Sequence, residues 1–450
     1  MTFLSTTVSA VLAQSVPDAL AAADPAMTGA RSDTPWVILS TAPDLPQPPD
    51  DLEQARAIWR EANQRVAEFP RGHIDLLRWE SRRAGAEKTT PDSADASNMP
   101  VMDWSTALRQ SLRQRPDLFV HAGMNESERN AVQREYAEHV RSLRRAWYEA
   151  VGANQSLRLR EAAWQASATG LELGQRMVRA GNWSLARLLD EQLIENRHRQ
   201  VLAQSALTRQ SSLERLARWM GIWKSEAVAD LGRRLPHELP APPEQLTTGN
   251  DGNEGPESAA LRSLPALNLQ RLRTERLLAT VRADRMAAWE RAVDVALQDQ
   301  ATGPTAIAAA PQISDRSLLN DESLEAAVEA QAGLLRAASE RRSQAREAWA
   351  QLQARHAAAR HQQDVVAHLQ TVRQQETVLR YNGMLQSSWE LLAAARERLN
   401  ALDEAVQARR DHWLAQADWD ALLAGAGYDS VANNPAPEMR SDNNMKAGGH

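Results

Sequence analysis

Proline is absent from two long stretches of this chain. No proline lies between Pro116 and Pro236, and none lies between Pro311 and Pro435. Because a proline removes a backbone donor and clashes with the preceding helical turn, its absence over such lengths allows long uninterrupted helices. Between the two stretches, residues 235–264 carry several prolines and a run of Gly, Asn and Asp, which is typical of a linker. The sequence therefore predicts two blocks of long helices joined by a linker.

The composition favours helix over strand. Aromatic residues make up 5% of the chain, with only 3 Phe and 4 Tyr, and residues that favour helix dominate. The 52 basic and 58 acidic side chains are interspersed and leave a net charge of -6. A nucleic-acid-binding surface would show a basic stripe, so we expect no nucleic-acid partner.

The two blocks are related to each other by sequence. Trp147 and Gly181 in the first block match Trp349 and Gly383 in the second, with the same offset of 202 residues (349 minus 147 and 383 minus 181). A constant offset over such a distance indicates an internal duplication. In the second block, apolar residues recur every seven positions at Leu392, Leu399, Val406 and Trp413. This spacing is typical of supercoiled helices, so each block is predicted to be a coiled-coil hairpin.

The matching glycines mark the predicted hairpin turns. Gly181 and Gly383 stand where we expect each outgoing helix to end in a left-handed residue. Ser184 and Ser387 follow, where each would cap the returning helix. On physical grounds alone, both glycines are explained as helix C-caps.

The N-terminal segment and the lack of cysteine bear on the compartment. The chain contains no cysteine, which excludes disulfides and thiolate chemistry and fits an oxidising compartment. The first 15 residues hold an apolar run that resembles the end of a secretory signal, although the basic region that should precede it is missing. Either the true start lies elsewhere or this is a frayed N-terminus. No apolar run reaches the roughly 18 residues of a transmembrane helix.

We find no catalytic constellation in the sequence, and we expect neither an enzyme nor a cofactor. The ten histidines are scattered, and no nucleophile, zinc-protease or phosphate-loop motif is present. His356, His361 and His368 are better explained as solvated helix residues than as a metal site. The C-terminal tail carries Met439, Met445 and His450, whose soft thioether ligands would suit copper(I), but we favour a disordered tail that holds these residues by chance.

The two tips and their flanking residues carry a family resemblance. In the first half, Ala146–Ala150, Arg179–Ser184 and Leu213–Gly221 resemble the corresponding parts of outer-membrane efflux proteins of the TolC-like family. In the second half, Arg380–Gly383 and Ala417–Gly425 repeat the pattern. The resemblance covers about Leu118 to Gly221 and Leu334 to Gly425.

The resemblance implies an assembly and a set of contacts. In this family, three chains with two hairpins each build a periplasmic helical duct, and the hairpin tips meet a periplasmic adaptor that serves an inner-membrane pump. It therefore implies a homotrimer in the periplasm and the outer membrane. The contact residues that it implies are Gly181, Asn182, Ser184, Asn382, Gly383, Leu385 and Ser387.

The chain departs from the family where the barrel strands should lie. Residues 84–103 and 299–318 occupy those places, and the second segment holds two prolines and no alternating pattern. The predicted fold is therefore all-α, two tandem repeats of long coiled-coil helical hairpins, with the β-barrel part vestigial or absent. Association with the outer membrane is left open. The alternative function is a non-conducting periplasmic coiled-coil scaffold, derived from the duct fold and linked to copper handling.

The predicted organisation has five parts. They are a signal-like or disordered segment at 1–48, a first repeat at 49–234, a linker at 235–264, a second repeat at 265–425 and a disordered tail at 426–450. The sequence does not indicate which substrate, pump or adaptor is involved.

Overall fold

The computed structural model describes residues 101–247, 255–298 and 310–428, together with Glu53, Arg56, Ala57 and Arg60. All regular structure in these residues is helical, which confirms the predicted all-α fold class. The predicted N-terminal segment 1–48 and nearly all of the tail lie outside the described residues. Residues 84–100 and 299–309 also lie outside the described residues. They make up most of the two segments predicted to lack the β-barrel strands.

Between residues 101 and 234, the first repeat contains four α-helices and a 3-10 turn at Pro116–Leu118. Helix α1 spans Trp104–Leu112, α2 spans Glu126–Arg179, α3 spans Leu185–Met220 and α4 spans Ser225–Arg234. Helices α2 and α3, of 54 and 36 residues, form the predicted hairpin. A single helix of 54 residues is about 80 Å long at roughly 1.5 Å per residue, so this hairpin is a rod.

A short helix, α5, lies within the predicted linker and spans Pro256–Arg262. The second repeat begins with the shorter helices α6, α7 and α8, which span Pro265–Thr280, Ala283–Gln298 and Arg316–Leu319, and a second long hairpin follows. Helix α9 spans Glu322–His361, a π-helical turn follows at Gln362–Val366, and α10 continues over Ala367–Asn382. Helix α11 then returns over Ser388–Leu423 and has 36 residues, as α3 has.

The offset between the repeats changes by one residue at the tips. The returning helices α3 and α11 start at Leu185 and Ser388, an offset of 203 (388 minus 185). The tryptophans and glycines ahead of them are offset by 202. The outgoing helices end at Arg179 and Asn382, which are also 203 apart (382 minus 179), so both turns contain five residues. The extra residue therefore lies in the outgoing helix, ahead of the turn, and it affects which residue takes the left-handed conformation.

One compact unit contains both hairpin tips. Its described residues lie within 101–116, 142–243 and 355–414. Its core is formed by large apolar side chains of α2, α3 and α4, with Leu143, Leu216 and Leu231 all but inaccessible to solvent. The edge of the Trp104 ring faces Trp147 at a centroid distance of 6.1 Å and joins α1 to this core.

A second compact unit has its own core. Its described residues lie within 117–141, 244–354 and 415–428. Leu352, Trp419 and Leu422 are buried there, and Trp349 lies against Trp419 at a centroid distance of 5.2 Å. The side chain of Arg341 is buried nearby and donates to backbone carbonyls at the end of α11.

The heptad positions predicted for α11 coincide only partly with the buried face of this helix. Of the four positions only Val406 is buried, at 3% exposure, whereas Leu392, Leu399 and Trp413 are partly exposed. Much of the buried surface of this helix is alanine, at Ala394, Ala401, Ala405, Ala415, Ala417 and Ala421. Alanine leaves room for helices to pack closely. A sequence pattern based on large apolar residues does not reveal packing of this kind.

Candidate functional site

The first tip closes as the sequence predicts. Gly181 has φ 74°, in the left-handed region. The amide of Gly181 donates to Val178 O at 2.9 Å, and the amide of Asn182 donates to Met177 O at 2.9 Å. These two bonds form a Schellman motif, which satisfies carbonyls that the end of α2 would otherwise leave unpaired.

The second tip closes by the same motif, one residue later. The left-handed residue is Met384, with φ 59°, whereas Gly383 has φ -80°. The amide of Met384 donates to Tyr381 O at 3.0 Å and that of Leu385 donates to Arg380 O at 2.8 Å. The prediction that Gly383 takes the left-handed position is therefore wrong. Helix α10 continues to Asn382, so the reversal falls on the residue after the glycine.

Both returning helices are capped by the predicted serines. Ser184 Oγ accepts from the amide of Arg187 at 3.4 Å. Ser387 Oγ accepts from the amide of Glu390 at 3.4 Å, and the amide of Ser387 donates to the Glu390 carboxylate at 2.7 Å. The second pair is a reciprocal capping box. Hydrogen bonds from Ser387 to the Glu390 carboxylate lower the pKa of Glu390.

Two tryptophans join the tips to each other. Trp183, just before α3, and Trp389, in the first turn of α11, lie with ring centroids 4.2 Å apart. The guanidinium of Arg187 lies over the Trp183 ring at 4.3 Å, within the range of a cation–π contact. An aromatic pair at this distance contributes about 1 kcal/mol beyond its buried area. The tips are therefore one surface and not two independent turns.

Two glycines on α2 make room for these rings. A Cβ added at Gly174 would lie 3.2 Å from the Trp183 ring, and one added at Gly170 would lie 3.6 Å from the Trp389 ring. Both glycines are buried, and they lie one helical turn apart on the same face. The two tryptophans thus pack directly against the backbone of α2.

An ion pair connects the returning helices just beyond the tips. The Arg396 guanidinium lies 3.4 Å from the Glu191 carboxylate, and these two side chains are 11% and 12% exposed. Burial makes such a pair sensitive to the loss of either partner, because the remaining charge would be left unpaired. The pair fixes α3 against α11 and so holds the two tips in register.

All seven residues implied by the family resemblance are exposed at this surface. They are Gly181, Asn182, Ser184, Asn382, Gly383, Leu385 and Ser387. Leu385 is 79% exposed, and its neighbour Met384 is 86% exposed. The surface thus combines two unburied apolar side chains with small polar groups and accessible backbone, a composition suited to contact with another protein.

Three residues of this surface were not predicted from the sequence. Met384 is not a residue type that signals a left-handed position. Trp183 and Trp389 do not share an offset, because Trp183 lies ahead of the first cap and Trp389 lies behind the second. Their only sequence signal is that each tip carries one tryptophan within two residues of its capping serine.

The described residues do not gather a metal site. They contain no group of three or more His, Asp or Glu side chains arranged to hold an ion. Of the three histidines considered from the sequence, His356 lies 2.7 Å from Pro243 O through its Nε2, and His361 and His368 are exposed. Met439, Met445 and His450 lie outside the described residues. Among the helices that are described, none combines the length and apolar character of a membrane span.

Comparison with known proteins identifies neighbours by structure only. No protein-family model matches the sequence, and no curated protein matches it. Solved structures do match. The chain is similar to CusC, which forms a transmembrane channel, with 14% identity over 84% of this chain and 92% of that chain and a TM-score of 0.42.

Two further neighbours are outer-membrane channels. OprN matches with 18% identity over 71% of this chain and 72% of that chain, at a TM-score of 0.45. CmeC of Campylobacter jejuni matches with 11% identity over 72% and 69%, at a TM-score of 0.41. At such low TM-scores and identities the likeness is one of helical architecture, and the function proposed below rests on this chain's own residues.

Proposed function

We propose that this chain is a protomer of a trimeric, TolC-like helical duct in an efflux or secretion assembly, and that its joined hairpin tips dock a periplasmic adaptor. The observation that carries the proposal is the tip surface, where the Trp183–Trp389 contact unites two turns and leaves Met384 and Leu385 exposed. Large apolar side chains at the end of a long rod are costly in water unless a partner covers them.

The conformation of Met384 supports the same proposal. A left-handed backbone costs a non-glycine residue about 1–2 kcal/mol. This cost falls on a residue whose side chain is almost fully exposed, so packing within the chain does not recover it. Strain of this kind at an exposed position often accompanies a binding role.

Exposed apolar side chains along the hairpins support self-association. On α3, Leu185, Leu189 and Leu193 recur every four residues and are 37%, 37% and 69% exposed. On α10, Leu369 and Leu379 are 60% and 66% exposed. Residues four apart share one face of a helix, so the leucines of α3 form a stripe suited to a neighbouring helix. The duct proposal assigns these faces to the other two copies of the chain, in the periplasm and at the outer membrane.

The adaptor contact can be tested by capture of an adaptor from the same genome on immobilised protein. Leu385→Glu and Asn182→Arg should each reduce capture at least about tenfold, because one removes an apolar contact and the other places a bulky charge in the interface. Neither substitution removes a helix cap, so circular dichroism and the melting temperature should stay as in the wild type.

The matched control is Gln353→Arg, which adds the same charge as Asn182→Arg at an exposed position on α9, far along the chain from either tip. It should leave capture unchanged. If both tip variants fold normally and capture the adaptor as well as the wild type does, the tips are only helix ends. The non-conducting scaffold would then be the better description.

A further inference from the structure

A cavity in the unit that contains the tips lies away from the turns themselves. It has a volume of about 430 Å³, is open to solvent, and is lined by α2, the π turn with α10, α11 and the segment that follows α4. Leu159, Leu402 and Val406 contribute an apolar floor, while Gln155, Gln363 and Arg409 contribute polar groups. A volume of several hundred Å³ with an apolar floor and few polar groups is typical of small-molecule sites.

The π turn is where the second hairpin differs from the first. Residues Gln362–Val366 form a π-helical turn between α9 and α10, whereas α2 runs without interruption over Glu126–Arg179. A π turn widens a helix and weakens its hydrogen bonding, and such turns are frequent at functional sites. Here it brings Gln363 to the wall of the cavity.

Hydrogen bonds fix which polar atoms remain for a ligand. Arg409 donates through one terminal nitrogen to Leu239 O at 3.2 Å and through the other to Gln363 Oε1 at 2.8 Å. Its Nε is buried and has no hydrogen-bond partner among the described residues. Gln155 Oε1 accepts from the amide of Leu239 at 3.2 Å. Because both glutamines use their oxygens as acceptors, their NH₂ groups remain as donors.

These atoms are all donors, and they border an apolar floor. We propose that the cavity binds a small organic carboxylate with an apolar body, whose carboxylate accepts hydrogen bonds from the two glutamine amides and is attracted by the charge of the Arg409 guanidinium. Amide donors bind a charged acceptor more strongly than a neutral one, and the positive charge of Arg409 adds to this attraction. The volume leaves ample room for an acid of about six to ten carbons at a typical packing density.

One acidic residue at the cavity provides a second charge whose effect on ligand binding can be tested. Glu238 also lines the cavity, is exposed, and interacts electrostatically with Arg409. It would repel a carboxylate and attract an amine. The charges of Arg409 and Glu238 therefore predict opposite effects on a carboxylate when each is removed.

The experiment measures binding of hexanoate to the full chain by calorimetry, with hexylamine and hexanol as probes of the same length. Hexanoate should bind saturably, hexanol more weakly and hexylamine not at all. Arg409→Gln should weaken hexanoate binding at least about tenfold, whereas Glu238→Gln should strengthen it several-fold. Arg410→Gln is the matched control, because Arg410 pairs with Asp411 and does not line the cavity. It should bind hexanoate as the wild type does.

A second variant tests the cavity without changing charge. Leu402→Ala enlarges the apolar floor and should shift the preference from hexanoate towards octanoate. This result would stand even if Arg409→Gln disturbed the segment that Arg409 holds. Equal binding of hexanoate and hexylamine, unchanged binding in Arg409→Gln, or no change of chain-length preference in Leu402→Ala would each overturn the proposal.

Discussion

At the scale of single residues, several side chains have roles that residue type alone does not suggest. Met384 takes a conformation that favours glycine, while the adjacent Gly383 does not need it. His412 is fully buried, and neither of its ring nitrogens has a hydrogen-bond partner among the described residues. Arg341 is buried, forms no ion pair with a carboxylate of the described residues, and donates to carbonyl oxygens instead. Each of these features leads to a measurable effect.

Replacing Met384 with glycine should stabilise the second tip. Relief of the left-handed strain stabilises the folded state by about 1–2 kcal/mol. The greater freedom of glycine in the unfolded chain opposes this by about 0.5–1 kcal/mol. The expected gain of about 0.5–1 kcal/mol can be read from slower amide hydrogen exchange around the second tip. The reciprocal change, Gly181→Met, should speed exchange at the first tip. Faster exchange in Met384→Gly would contradict the assigned conformation.

The stability of the unit that contains His412 should fall in mild acid. Burial, with a smaller contribution from nearby His356, lowers the pKa of His412 from 6.5 to about 4. Between these two values the unfolded chain binds a proton that the folded chain does not. Stability is therefore complete above about pH 6.5, is lost as the pH falls to about 4, and changes no further below that. The loss is on the order of 2–3 kcal/mol.

Melting temperature measured from pH 4 to pH 8 checks this prediction. His412→Leu should flatten the pH dependence and leave stability at pH 7 unchanged or higher, because the ring nitrogens lose no hydrogen bond. His361→Leu, a change at an exposed histidine, should retain the wild-type profile. An unchanged profile in His412→Leu would show that another group is responsible.

At the scale of elements, helix ends are connected by specific side chains. In one unit, the rings of Trp183 and Trp389 pack on the glycines of α2 and join two turns that the chain separates by some 200 residues. In the other, Arg341 on α9 donates to Leu422 O, to Ala426 O at 2.8 Å and to Ala260 O at 3.4 Å. It thereby satisfies carbonyls at the end of α11 and within α5.

Loss of the tryptophan contact should be measurable as a coupling between the tips. Trp183→Ala, Trp389→Ala and the double variant form a double-mutant cycle, with stability read from hydrogen exchange at both tips. The expected coupling is about 0.5–1.5 kcal/mol, the range for a packed aromatic pair. Additive effects of the two substitutions would mean that the turns are independent, which would also weaken the proposed docking surface.

Arg341→Leu should destabilise the second unit by about 1–3 kcal/mol, since it removes the donor of Ala426 O and one of the donors of Leu422 O and Ala260 O. Arg342→Leu, at the next position, removes an exposed ion pair with Glu257 and should change stability by less than about 1 kcal/mol. Urea denaturation of both variants gives the comparison. Equal effects would show that the carbonyl contacts of Arg341 contribute little.

At the scale of the whole molecule, the exposed leucines on α3 and α10 predict self-association. Sedimentation equilibrium at tens of micromolar should show a trimer. Leu193→Glu combined with Leu379→Glu should shift it towards monomer, because each places a charge on an apolar face. Gln375→Glu, an exposed polar position on α10, should leave the trimer intact. A monomeric wild-type protein would count against the duct.

The sequence by itself determined the helices, the hairpins and their caps. Proline-free stretches, helix-favouring residues, a repeated glycine and two serines act through local backbone geometry, so they can be read without the rest of the fold. Only the tertiary structure decided that Met384 and not Gly383 reverses the chain, that Trp183 meets Trp389, and that the glutamines meet Arg409 at a cavity. Each of these depends on where distant segments lie relative to one another, because helix length, packing registers and burial are set by contacts between segments and not by local propensity.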